Sequence, residues 1–459
     1  MVVGSHPQEE VCRRAIGERL NLTVQRAVKP LLGTVKVPGD KSLAHRAVLF
    51  AALAEGESEI HDYPDSGVTR AMRGALSSLG VPSTLEGDVL RLKGNGFRPF
   101  PVSGAVAYCG NSATTIRLLA GALAGTGSVA VLDGSEGLRK RPMNRIIEPL
   151  RLMGADLEGT PGVAADGRHV LCAPIKFKGG TLKGIDYSLP VASAQVLSCL
   201  QLAALGASGE SHFTVPGPVR DHTVRMLRAM GAFESLTPFD PLMLSRHVIP
   251  LTPSSPLKPL KWRLPGDISS AAFLLAAAAI VPGSRVTVKG VDVNPTRTGV
   301  LDVLSAMGAK VSVSEYREDM GEPVADVTLE SASLKGVVIE GDLVVRSIDE
   351  IPALAAVAAF AEGETVVRDA TELRYKETDR IAAVVTQFRA LGADVREMPD
   401  GFVIRGGGLK GGLAKANGDH RLAMSLAVCA LRAPVTVEGA EILDESFPSF
   451  VPTLHSLGV

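Results

Sequence analysis

Seven cations, Lys41, Arg46, Arg141, Arg220, Lys376, Arg380 and Arg421, stand at or just before stretches that read as helix starts, and the carboxylates Asp349 and Glu377 stand among them. A helix N-terminus carries unpaired N–H groups and the positive end of the helix dipole, so it favours an anion. Lysine and arginine placed there let a multiply charged ligand be held from two sides. A carboxylate beside such a ligand can act as a general base or hold a hydroxyl. If the helix starts face one another, the set suits two small anions, phosphates or carboxylates, with acid–base chemistry between them. The competing reading, solvated cations on ordinary helix starts, accounts for each position singly and not for their recurrence.

The elements that must position these residues are readable around each. Gly33–Val37 reads as a strand, Pro38-Gly39 as a turn, and Lys41, Ser42, His45 and Arg46 open the apolar run Ala47–Ala54. A lone histidine is more often packed than catalytic, so His45 is left out of the site. Gly110-Asn111-Ser112-Ala113-Thr114-Thr115 opens a second run with small hydroxyl and amide groups, and Arg139-Lys140-Arg141 follows in a charged loop. Ser193, Ala194 and Gln195 open the third; a buried amide such as Gln195 needs partners. Next come Arg220, a hint of an anion, and Asp221, which reads as a cap. The fourth start, Gly266 to Ala271, has no cation and reads as structural. The fifth carries Asp349 and Glu350, followed by the dense charge cluster 372–380; the sixth is Asp419-His420-Arg421.

These starts belong to a repeat seen six times: a buried small-residue helix, a β-rich stretch, a charged loop, and an amphipathic helix ending at Leu-Gly or Met-Gly. The endings recur roughly 65 to 85 residues apart. An open solenoid would have bland, equivalent starts, so two closed groups of three units are expected. The proline-rich stretch Pro250–Pro265 reads as the boundary. The chain ends directly after the sixth outer helix, so the strand completing that unit is expected from Thr23–Val37. The reading is an extension at 1–22, a discontinuous domain of 23–39 with 263–459, and a continuous domain of 40–262. Hinge crossings near 38–40 and 262–265 then flank a cleft that can close.

The chain has 459 residues, 46% of them apolar and 4% aromatic, so its cores must be aliphatic. A formal net charge of -1 argues against a general nucleic-acid or anionic-membrane binder. Five scattered cysteines without a CxxC pair fit a reducing compartment. No signal-peptide pattern opens the chain, and the longest apolar run, Ser269–Val281, is too short to span a bilayer. A cytoplasmic monomer is expected. No P-loop, no GxGxxG opening a βαβ unit and no His/Cys set with metal-ligand spacing is present, so neither metal nor cofactor is expected.

With these motifs in place, the chain resembles the 5-enolpyruvylshikimate-3-phosphate synthases of the enolpyruvyl transferase family, over residues 25 to 457. The strongest pieces are Gly39-Asp40-Lys41-Ser42 through Arg46, Gly110 to Thr115, Arg139 to Met143, Ser193 to Val196, Lys376-Glu377-Thr378-Asp379-Arg380, and Asp419 to Met424. The resemblance implies an α/β fold of two domains, the inside-out α/β barrel, each domain holding three βαβαββ-type repeats with buried parallel helices. It implies transfer of the enolpyruvyl group of phosphoenolpyruvate to the 5-hydroxyl of shikimate 3-phosphate, with release of phosphate. Lys41, Ser42, Arg46, Ser193, Ala194, Gln195, Arg220, Asp349 and Lys376 would hold shikimate 3-phosphate. Lys41, Asn111, Ala113, Arg141, Gln195, Arg380 and Arg421 would hold phosphoenolpyruvate. Asp349 would be the base at the 5-hydroxyl, and Glu377 and Lys41 would handle protons at the enolpyruvyl carbon. Two departures stand out. Glu445 precedes Ser446-Phe447-Pro448 where many members have lysine, and Ala113 replaces a common glycine, which implies reduced glyphosate sensitivity. The alternative within the fold is UDP-N-acetylglucosamine enolpyruvyl transferase, whose reactive cysteine lies in a mobile loop; Cys109 does not match that place. The RNA 3′-phosphate cyclases share the repeat, but the charge balance speaks against nucleic acid.

Overall fold

The computed structural model describes residues 21–163, 167–232, 247–251 and 256–459, with the backbone alone at 247–251. The expected extension 1–22 lies outside these residues except for Asn21 and Leu22, as does Pro253 of the expected boundary.

Six core helices carry the repeat: Lys41–Leu53, Ala113–Gly125, Ala194–Ala204, Ile268–Ile280, Ile351–Ala358 and His420–Ala430. Their near-continuous apolar sequences leave no polar face, and burial follows; in Ile268–Ile280 every residue is buried. Polar side chains define several of their starts. Asp40 accepts from Leu43 N at 2.9 Å, Ser112 from Thr115 N, Asp267 from Ser269 N, and Asp419 from Arg421 N at 2.9 Å. Small residues allow close helix contact. A Cβ at Gly121 of the second helix would stand 2.1 Å from the Cys199 carbonyl of the third.

The described strands form six separate sheets of three or four strands. None closes into a barrel by itself; the open sheets pack around the buried helices, in keeping with the expected α/β fold. The expected strand Thr23–Val37 does not complete the sixth unit: only its first residue, Thr23, lies in the strand that does so. Asn21–Thr23 pairs antiparallel with Val435–Glu438 of the sixth unit, whereas Leu32–Val35 runs parallel to Arg285–Val288 of the fourth.

The buried apolar residues form two cores. One spans Leu43 to Leu264; the other joins Val24 and Leu31 to residues between Ile268 and Leu457. Between them the chain crosses twice, and the crossings are bonded to each other. Asp40 N donates to Pro265 O at 2.8 Å, and Asp267 N to Pro38 O at 2.9 Å. Gly39 is required there, because a Cβ would stand 2.3 Å from the Asp62 carbonyl. Asp40 and Asp267 therefore end the two crossings and open the first and fourth core helices.

Candidate active site

The first, fifth and sixth core helices bring their N-termini to one cleft. Lys41, the first residue of its helix, reaches across it: Nζ donates to Ser446 Oγ at 2.8 Å and lies 3.3 Å from His420 Nε2. Burial and the neighbouring Arg421 lower the Lys41 ammonium to about 8, against the pull of Asp267, Glu377 and Asp349.

Asp349 is the centre of the cation set. Arg220 Nη1 donates to its Oδ2 at 2.8 Å, Arg380 Nη1 to its Oδ1 at 3.4 Å, and Lys376 Nζ lies 3.9 Å away. Arg421 donates to the Asp349 backbone carbonyl at 3.0 Å, with its Nη2 4.0 Å from Oδ2. Burial works against the charge of this carboxylate. Arg220, Arg421, Lys376 and Arg380 outweigh it and hold the carboxyl well below the usual range. Glu377 accepts from Arg380 Nη2 at 2.6 Å, and it too is held far below its ordinary value, burial being outweighed chiefly by Arg380. Arg380 is anchored on its far side by Asp419 Oδ2 at 2.6 Å. These contacts place Arg220, Asp349, Lys376, Glu377, Arg380 and Arg421 in one network, which Arg220 enters from the opposite half; Lys41 comes from the same side as Arg220 and meets Ser446 and His420, the neighbour of Arg421.

The remaining expected residues stand apart from that network. Gln195 is pinned between Arg117, which donates to its Oε1, and Thr114 Oγ1, which accepts from its Nε2 at 2.9 Å. Arg46 is buried, with Nε on Thr223 Oγ1 at 2.7 Å, Nη1 on Ser42 O at 2.9 Å and Nη2 on Ser198 Oγ at 3.0 Å. Asn111 is exposed and accepts from Ser135 Oγ. Ser42, Ala113, Ser193 and Ala194 are half-buried at their helix starts. Arg139 and Lys140 form exposed pairs with Asp133 and Glu136, while Arg141, half-buried, has no ion-pair partner among the described residues. His45 is packed, its Nδ1 2.6 Å from Lys41 O.

Several contacts had no sequence counterpart. Asp221 does not cap its helix; its carboxylate takes Arg225 Nε at 2.7 Å and Asn294 Nδ2 at 2.8 Å. The fourth unit, read as lacking a cation, receives Arg297 from its own outer loop, within 3.2 Å of Asp40 and 3.4 Å of Asp267. Arg117 and Asp419, which position Gln195 and Arg380, also went unassigned. The signals for them were an arginine inside an apolar run and an aspartate at a cap.

A cleft between the two cores, lined by helix N-termini and by cations around ionised carboxylates, marks a protein of the α/β class that handles small anionic ligands. The family profile of EPSP synthase (3-phosphoshikimate 1-carboxyvinyltransferase) matches residues 25–454. A relative of that name from Syntrophomonas wolfei is 44% identical over 438 residues, covering 95% of this chain and 99% of its own. Another from Roseiflexus castenholzii is 47% identical, covering 94% and 98%. The solved EPSP synthase of Acinetobacter baumannii superposes with a TM-score of 0.84 at 38% identity, over 96% of this chain and 98% of that one. The chain belongs to the EPSP synthase family, the enzymes that transfer the enolpyruvyl group of phosphoenolpyruvate to shikimate 3-phosphate.

Proposed function

We propose that the cleft performs this transfer with the cations around Asp349 as its anion grip. The observation that carries the reading is the convergence of Arg220, Lys376, Arg380 and Arg421 on one carboxylate. Four cations are more than a structural carboxylate needs, and both substrates carry a phosphate and a carboxylate. Ser42, Arg46, Ser193, Ala194, Gln195, Arg220 and Lys376 hold shikimate 3-phosphate, with Lys41 and Asp349. Lys41, Asn111, Ala113, Arg141, Gln195, Arg380 and Arg421 hold phosphoenolpyruvate.

Asp349 takes the proton of the 5-hydroxyl as its oxygen bonds the enolpyruvyl carbon. Glu377 and Lys41 deliver a proton to the neighbouring methylene carbon and remove one when phosphate leaves the tetrahedral intermediate. Asp349 and Glu377 must then gain basicity in the complex. Incoming phosphate and carboxylate groups supply it, since they draw on the same cations that keep both carboxyls ionised. Closure of the halves, 23–39 with 263–459 over 40–262, orders both reactants, a contribution of roughly 7–11 kcal/mol at most. Among the described residues no helix is long and apolar enough to cross a membrane. The four described cysteines are free and buried, which supports a reducing, cytoplasmic setting; a monomer is the assembly proposed.

The test is a phosphate-release assay with phosphoenolpyruvate and either shikimate 3-phosphate or UDP-N-acetylglucosamine. Release with the first acceptor alone is expected. Release with the second alone overturns the reading.

A further inference from the structure

Directly behind Arg220 and Arg46 of the substrate cleft, the two halves meet in a second buried polar cluster. His222 opens the helix His222–Ala229, and its Nδ1 lies 2.8 Å from Glu322 Oε1 on the strand Glu322–Glu330. Asp292 ends the strand Arg285–Asp292 beside them. One oxygen of Asp292 accepts from Asn294 N at 3.0 Å. The other, Oδ2, is buried and has no hydrogen-bond partner among the described residues, although Asp292 is 0% exposed. One ligand-type atom from each of His222, Asp292 and Glu322 lies within 4.8 Å of the other two.

The charges nearby do not account for that oxygen. Asp40, Asp221, Asp267, Asp292, Glu322 and Glu350 are all buried around this junction. Arg297 is taken up by Asp40, Asp267 and Ser269, and Arg225 by Asp221 and the Gly321 carbonyl. A buried carboxylate oxygen without a donor is disfavoured unless a cation or a proton meets it.

We propose that His222, Asp292 and Glu322 form a binding site for a divalent transition-metal ion of the manganese class, which ties the two halves together at their junction. One imidazole with two carboxylates suits such an ion. The His222–Glu322 separation of 2.8 Å is close to the edge of an octahedron with bonds of about 2.1 Å, which is about 3 Å. The outer contacts are in place. Asn294 Nδ2 holds Glu322 Oε2 at 2.9 Å, which leaves Oε1 toward His222. Arg297 Nη1, 3.5 Å from His222 Nε2, is at the outer limit of a hydrogen bond and does not set the tautomer. With the ring proton on Nε2, Nδ1 faces Glu322 Oε1 across one shared proton; the metal replaces that shared proton, which leaves to solvent, and the ring stays neutral. His222 comes from the half built on residues 40–262, and Asp292 and Glu322 from the other. Entry is therefore through separation of the halves, and the bound ion favours their contact. Sequence spacing concealed the site, because His222 and Glu322 are 100 positions apart.

The test uses the full chain stripped with a chelator and titrated with Mn2+, followed by electron paramagnetic resonance and by calorimetry in two buffers of different ionisation heat. The expected result is one saturable equivalent per chain, proton release on binding, and a melting temperature that rises with Mn2+. Asp292→Asn and His222→Gln should each weaken the Kd at least tenfold. No saturable uptake by the wild-type chain overturns the proposal, and so does uptake unchanged in both variants. The wild-type titration decides even where a variant fails to fold. None of these readouts depends on turnover, so the result is separate from that of the phosphate-release assay.

Discussion

Arg220 and Asp349 stand on opposite sides of the cleft, and their 2.8 Å contact joins the two halves through the group assigned as the base. A carboxylate held this far down its titration range is a poor base until its cations are shared. Substrate anions do that sharing, so removal of Asp349 should separate chemistry from binding. Asp349→Ala is expected to lower kcat by about 10²- to 10⁴-fold. It frees Arg220 and Lys376, so the Kd for shikimate 3-phosphate should stay level or fall. Steady-state kinetics and fluorescence titration, with circular dichroism as the fold control, measure both. Substantial residual kcat would remove Asp349 from the base role.

Lys41 predicts a pH limb. Its ammonium is lowered to about 8, so in the free enzyme it loses its charge as pH rises through that value. If the cation is the form that grips phosphoenolpyruvate, kcat/KM should fall tenfold per pH unit above about 8. Lys41→Arg keeps the charge and should move the limb upward, while losing kcat wherever Lys41 transfers a proton. The folded value also lies below the ordinary lysine value of 10.5, so the unfolded chain binds the proton more tightly between about 8 and 10.5. Lys41 therefore adds stability as pH rises across that window, the reverse of a salt-bridged lysine. A pH profile of the wild type with no limb near 8 would refute the assignment.

Much of the site was legible because its determinants are local. A cap, a cation and an apolar run occupy consecutive positions at Asp40-Lys41 and at Asp419-His420-Arg421, and the helices form there. Asp379, whose carboxylate accepts from Ala382 N at 3.0 Å, fixes the start that aims Arg380. What stayed hidden is contact between distant segments. Arg297 fills a unit that looked empty of cations because its partners Asp40 and Asp267 sit at the two crossings. Asp221 has the type and place of a cap, yet the nearby Asn294 and Arg225 take its carboxylate. Sheet closure was equally out of reach, since whether Leu32–Val35 joins the fourth unit or the sixth depends on packing rather than on its own four residues.

Glu445 packs against the opposite half. A Cβ at Gly67, the first residue of the helix Gly67–Ser78, would stand 2.2 Å from Glu445 Oε2. The next residue, Ser446, accepts from Lys41. Gly67→Ala should push Glu445 away and loosen the Lys41–Ser446 contact, raising the KM for phosphoenolpyruvate several-fold. Alanine is otherwise the better helix former by about 1 kcal/mol, so propensity works against any loss. Glu445→Ala in the Gly67→Ala background should restore the KM. A single variant with wild-type KM would show that the contact does not bear on the site.

Ala113 predicts the response to glyphosate. It is the first residue of the second core helix, directly after the Ser112 cap, and is half-buried. Its side chain is a single methyl group. Beside the assigned phosphoenolpyruvate pocket, that methyl crowds a longer analogue more than the natural substrate, because the analogue must fill more of the same space. Ala113→Gly should therefore lower the inhibition constant for glyphosate by more than it changes the KM for phosphoenolpyruvate. Glycine at a first helical turn costs at most about 1 kcal/mol, so the variant should fold and the comparison stays clean. Parallel inhibition curves for wild type and Ala113→Gly decide it, and an unchanged or weaker response in the variant would place the determinant elsewhere in the cleft.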